Sequence, residues 1–141
     1  MSTSKLKIVL DTNVFLVSIP AKSPYHLIYK SLRANVFELF LSNEILIEYE
    51  EIFAEKLGYE RTSLMLHELL NLQSIHSTTP YFNWNLITED PDDNKFIDCA
   101  VTAGADYLVT NDKHFNILKQ IAFPVVIPIK ADEFLEILKK L

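Results

Sequence analysis

Four places in this chain put carboxylates where an α/β protein gathers its chemistry. Asp11 follows directly on the apolar run Leu6 to Leu10, and Asp112 stands two residues past Thr110, after Tyr107-Leu108-Val109. Each run reads as a short strand buried on both faces, as in a parallel sheet. In an open α/β sheet the functional crevice lies outside the carboxyl ends of the strands, so both acids arrive at one edge. Like charges tolerate that approach only with a cation between them. A third source of carboxylate is the helix opening at Asp92-Asp93, and a fourth is the helix carrying Glu44, Glu48, Glu50 and Glu51. Glu48 shares a helical face with Ile45 and Ile52, so it is expected to point inward, where it requires a partner. Glu50 and Glu51 read as solvated. The plain alternative is that Asp11 and Asp112 only cap the helices that follow them.

Other chemistries fit less well. The two glycines, Gly58 and Gly104, cannot write either glycine-rich phosphate loop. The four histidines, at 26, 67, 76 and 114, form no H-x-x-x-H pattern, and a zinc site is not expected. Ser18, Ser42 and Cys99 have no histidine close in sequence to activate them. Cys99 reads as a small buried hydrophobe, and a lone cysteine fits a reducing cytoplasm. The formal charge is −6, from 19 acids against 13 Lys and Arg, which speaks against a protein that simply coats nucleic acid. It does not speak against an enzyme whose bound cations reverse the local field. Lys22, Arg33, Lys56 and Arg61 are a thin basic set that could steer a polyanion. Lys113 and His114, just past Asp112, could contact substrate phosphate but read first as a surface helix start, and Tyr81, Phe82 and Trp84 could stack on bases but read first as packing under a long loop.

The elements that must position the acids follow from periodicity. Helical spacing covers Tyr25 to Leu32 after Pro24, then Ser42 to Gly58 with Ser42 as N-cap, and about Thr62 to Leu72. It returns from Asp92 or Asp93 to Ala103, closed by Gly104, and again over Lys113 to Gln120 and Ala131 to Leu141. Strands are expected at Leu6 to Leu10, Val36 to Leu41, Tyr107 to Val109 and Val125 to Ile127, with a short fifth at Gln73 to Ser77. Thr79 to Pro91 reads as a loop. This alternation predicts a three-layer α/β/α domain around a parallel sheet of about four to five strands. At 141 residues, 49% hydrophobic and without a linker or repeat, residues 1–141 are expected to form one soluble domain. No run approaches the roughly 18–20 apolar residues of a membrane span, and the apolar stretch after Met1 to Lys5 is too short for a signal peptide.

The segment Ile8-Val9-Leu10-Asp11-Thr12-Asn13-Val14-Phe15 resembles the opening of the PIN-domain ribonuclease family, and Leu108-Val109-Thr110-Asn111-Asp112-Lys113-His114-Phe115 resembles its Thr-x-Asp segment. Glu48 and the Asp93 of Asp90-Pro91-Asp92-Asp93-Asn94-Lys95-Phe96 complete the order and spacing of the family's four acids. The resemblance runs from Lys7 to about Pro128 and is greatest to bacterial toxin components of toxin–antitoxin pairs. It implies a Mg²⁺ or Mn²⁺ site formed by Asp11, Glu48, Asp93 and Asp112, with Asn13 and Thr110 orienting the carboxylates by hydrogen bonding. Asp90, Asp92 and Asp98 compete with Asp93 for the third place; Asp93 is preferred at the expected helix start, whereas Asp98, about five residues on, would turn away from the same face. The implied activity is endonucleolytic hydrolysis of RNA by a metal-activated water. The implied partners are an antitoxin protein and a second copy of the chain, seated on leucine-rich surface of the helices at 62–72 and 131–141. The alternative is a catalytically weak binding module that acts through a protein partner.

Overall fold

The computed structural model describes residues 4–141, so the first residues of the N-terminal stretch weighed above as a leader lie outside the described residues. Five strands, β1 (Lys7–Leu10), β2 (Glu38–Leu41), β3 (Ile75–Ser77), β4 (Tyr107–Val109) and β5 (Pro128–Ile129), form one all-parallel sheet. Their order is β3-β2-β1-β4-β5. The chain winds from β1 outward to β3, then returns to the other side of β1 for β4 and β5. The direction reverses between β1 and β4, and this is where such sheets open a crevice at their carboxyl ends.

β1 is central, which explains its unbroken apolar run: Ile8, Val9 and Leu10 are fully buried. The helices are α1 (Thr12–Ser18), α2 (His26–Arg33), α3 (Asn43–Leu57), α4 (Tyr59–Leu70), α5 (Asn94–Ala103) and α6 (Ala131–Lys139). α5 packs on β1, β2 and β4, while α6 packs on α2, with Phe37 and Phe134 edge to face at 5.2 Å. The result is a PIN-like three-layer α/β/α arrangement. No helix among the described residues is long and apolar enough to cross a membrane.

Several expected boundaries move, each for a local reason. Ser42 does cap α3, accepting the Ile45 N–H at 3.3 Å. α4 begins at Tyr59, three residues early, because Gly58 at φ 89° turns the chain between α3 and α4 in a single residue. Asp93 does stand at the N-cap of α5, though without a capping bond from its side chain, and the 3-10 turn before it, Pro91–Asp93, is capped by Asp90. The segment Lys113–Gln120 is 3-10 throughout and not α. The last strand is Pro128–Ile129 rather than Val125–Ile127; Val125 and Ile127 are exposed, and Ile127 meets the ladder through its carbonyl, which accepts the Leu108 N–H at 3.0 Å. Periodicity gave no sign of α1, which is only seven residues long.

Candidate metal centre

Asp11 leaves the central strand at the switch point. Its backbone N–H donates to the Val109 carbonyl at 3.0 Å, so the sheet ladder fixes the residue on its first atom beyond β1. It occupies the N-cap position of α1 but makes no capping bond with its side chain. Instead Oδ2 accepts the Thr110 hydroxyl at 2.7 Å. The same Thr110 oxygen accepts the Asp112 N–H at 3.0 Å, so one buried threonine ties the two strand-end acids together. Asp112 also caps the 3-10 helix, its Oδ1 accepting the His114 N–H at 2.9 Å. Burial raises the Asp11 pKa, and the charges of Glu48 and Asp112 raise it further, against the Thr110 bond.

Glu48 reaches this edge from α3. The next residue, Tyr49, is fully buried and donates its hydroxyl to the Leu10 carbonyl at 2.5 Å, which locks α3 against the end of β1. Burial, followed by the nearby Cys99, Asp11 and Glu48, pushes this phenol well above its usual range. Glu48 is half-buried and already partnered: Oε2 accepts the Thr12 hydroxyl, and Oε1 pairs with the Lys95 ammonium at 2.7 Å. Lys95 also meets Asp92 at 2.9 Å, and its side chain is only 9% exposed. Burial disfavours the Lys95 charge, but the bonds to Glu48 and Asp92 more than offset it and raise the pKa.

Asp93 is set by its neighbour. Asn94 is buried and clamps the incoming loop, accepting the Ile87 N–H at 2.9 Å and donating to the Ile87 and Pro91 carbonyls at 2.9 and 3.1 Å. This leaves the Asp93 carboxylate 15% exposed and facing His114, whose Nδ1 lies 3.5 Å from Asp93 Oδ2 and 3.4 Å from Asp112 Oδ1. Burial, then the charges of Asp90, Asp112 and Asp11, push its pKa up to about 6. Asp92 is mostly exposed and engaged by Lys95. Asp98 is buried and turned to the loop, where it accepts the Trp84 N–H at 3.0 Å.

Asp11, Asp93 and Asp112 therefore share one electrostatic neighbourhood, and Glu48 borders it through Asp11. Among the described residues, the group whose donor atoms lie within 4.8 Å of one another is Asp90, Asp93 and His114. Glu48 is held by Thr12 and Lys95 rather than drawn into that group. Asn13 is exposed and has no side-chain hydrogen bond to any of the acids among the described residues. Two participants were not anticipated from sequence, Lys95 and Asn94, while His114, read as a surface helix start, instead lies between Asp93 and Asp112. Lys95 had a signal, since it stands three residues after Asp92 on a helix start, the spacing of an ion pair. Asn94 had none, because its role depends on where the loop returns. Cys99 is fully buried with its thiol pushed up to about 12 by burial, so it is no nucleophile.

The donor set suits a hard divalent cation. Carboxylate oxygens predominate, and at least two of the carboxyls are held above their normal pKa by burial and one another. A cation there would relieve that repulsion.

Comparison with curated proteins returns no match. Two solved structures share the fold. VapBC2 from Rickettsia felis, determined bound to a DNA fragment from its promoter, matches with a TM-score of 0.61 and 20% identity, over 89% of this chain and 98% of that one. The RRP44 PIN domain of T. brucei matches with a TM-score of 0.54 and 13% identity, over 98% of this chain and 83% of that one. At such identities the likeness is one of fold. The model of the PIN domain matches residues 7–114, the stretch that carries all four acids, and the chain belongs to the PIN-domain family.

Proposed function

We propose that residues 1–141 act as a single PIN domain that hydrolyses RNA phosphodiester bonds internally, with Mg²⁺ or Mn²⁺ as cofactor. The observation that carries this reading is the Thr110 bridge, which holds Asp11 and Asp112 together at the switch point beside Asp93. Asp11, Asp93 and Asp112 would hold the cation, with Glu48 on its α3 side. Bound there, a divalent cation supplies the charge that neutralises a phosphate and acidifies a water. The protein's own part is orientation: Thr110 fixes Asp11, the His114 N–H fixes Asp112, and the Asn94 clamp fixes Asp93. Asn13, exposed just beyond Asp11, would join this set only once substrate or cation is present.

The biological reading is a cytoplasmic toxin component restrained by an antitoxin. The structural likeness to VapBC2 supports it, as does apolar surface on α3 and α4, where Ile47, Tyr59, Leu64 and Leu70 are exposed. That surface suits an antitoxin or a second copy of the chain. α6 contributes less than expected, because Phe134, Leu135 and Leu138 are buried in the core. One observation favours the alternative of a catalytically weak binding module: Lys95 occupies Glu48. A cleavage assay on RNA separates the readings. The parent should cut in Mn²⁺ and stop in EDTA, and Asp11→Asn should not cut. Equal cleavage by parent and Asp11→Asn would overturn the nuclease reading.

A further inference from the structure

The chain is acidic, yet cations collect on one side of the carboxylates. Thr110 and Asp112 form one end of a cleft of about 250 Å³ between the 3-10 helix and the start of α6, lined further by Asn111, Lys113, Lys119, Lys130 and Glu133. Lys113 follows Asp112 directly. Lys130 follows β5, whose Ile129 pairs in register with Val109. Asn111 Oδ1 accepts the Ala131 N–H at 3.1 Å and so joins the two walls. All three lysines are exposed, and among the described residues none is in an ion pair. Glu133, the acid on the far wall, accepts the backbone N–H of Lys130 at 3.0 Å rather than an ammonium. Lys95, by contrast, is neutralised by two carboxylates.

The fold thus gathers three unneutralised ammonium groups around a polar cleft that begins at a site acid. Pockets for buried small molecules are mostly apolar and occupy about 300–1,000 Å³. A smaller, open, lysine-lined cleft suits a run of backbone phosphates instead, which fixes register without reading bases.

We infer that this cleft is the track for the single-stranded RNA backbone flanking the bond cut at the carboxylates, with Lys113, Lys119 and Lys130 neutralising phosphates. This deepens the nuclease reading and rests on it. The test uses Asp11→Asn, so that binding is measured without turnover, and a fluorescent single-stranded RNA oligonucleotide followed by anisotropy across a salt titration. Adding Lys113→Gln, Lys119→Gln and Lys130→Gln should weaken binding at least about 10-fold at low salt. It should also flatten the log K against log salt slope by about 2, near 0.7 for each lost phosphate contact. A charge-matched control at exposed lysines outside the cleft, Lys5→Gln with Lys30→Gln and Lys140→Gln, should leave the slope unchanged. An unchanged slope in the cleft variant overturns the inference, as does equal loss in the control. Loss of binding to a polyglutamate peptide with RNA binding intact also overturns it, by assigning the lysines to an acidic protein partner. Cleavage of the same RNA by the parent is scored separately. A parent that cuts while the cleft variant keeps its slope sinks the track alone, and a flattened slope without parental cleavage sinks the nuclease reading alone.

Discussion

Asp11 and Lys95 show how differently single residues act at this edge. Asp11 makes no capping bond, so Asp11→Asn removes a charge and keeps an oxygen for Thr110. It should abolish cleavage and leave the metal-free protein at least as stable as the parent, which melting curves in EDTA would check. Glu50→Gln, on an exposed residue of α3, should change neither property. Lys95→Met is the opposite case. It strands Glu48 and Asp92 without their cation, and because the pair is only partly buried the loss should be about 1–2 kcal/mol. The freed Glu48 carboxylate should then bind cation better, so Mn²⁺ should raise the Tm of Lys95→Met by more than it raises that of the parent. A smaller rise in the variant would show that Lys95 does not compete for this site.

At the scale of elements, the site depends on how two helices are tied to the sheet. Tyr49 ties α3 to the end of β1 through the Leu10 carbonyl, and Asn94 ties the start of α5 to the loop through Ile87. Asn94→Ala would leave the Ile87 N–H and carbonyl unpaired in a buried setting, costing about 1–3 kcal/mol. Chemical denaturation should register that loss as a lower midpoint. Cleavage should fall as well, because the Asn94 clamp sets where Asp93 leaves the loop. Asn94→Ala with parental activity would show that Asp93 is placed by something else.

For the whole molecule the consequence is a pH dependence. Asp93 is held at about 6, above an unfolded value near 3.9, so the folded protein retains its proton where the unfolded chain has released it. This group therefore favours the fold below about pH 4, and that contribution is lost as pH rises through about 6. The loss is on the order of 1–3 kcal/mol in the metal-free protein. Asp93→Asn should accordingly match the parent in Tm at pH 4 and exceed it at pH 7, both in EDTA. Cation binding needs the ionised carboxylate, so the Tm rise caused by Mn²⁺ should shrink as pH falls below about 6. A metal-induced shift that is flat from pH 5 to 7 would remove Asp93 from the site.

The sequence by itself determined the sheet and the candidate acids. Apolar runs such as Ile8-Val9-Leu10 are legible because a strand buried on both faces tolerates nothing else. Asp11 and Asp112 are legible because the residue after such a strand must emerge at its carboxyl end. Only the tertiary structure decided what those acids touch. Thr110 bridges two of them because β1 and β4 are neighbours, a pairing between residues 99 positions apart in sequence. Lys95 meets Glu48, and Lys130 joins Lys113 across a cleft, because helices and strands distant in sequence converge there. Local pattern records burial and turn chemistry, whereas partners across the fold are set by how the layers close.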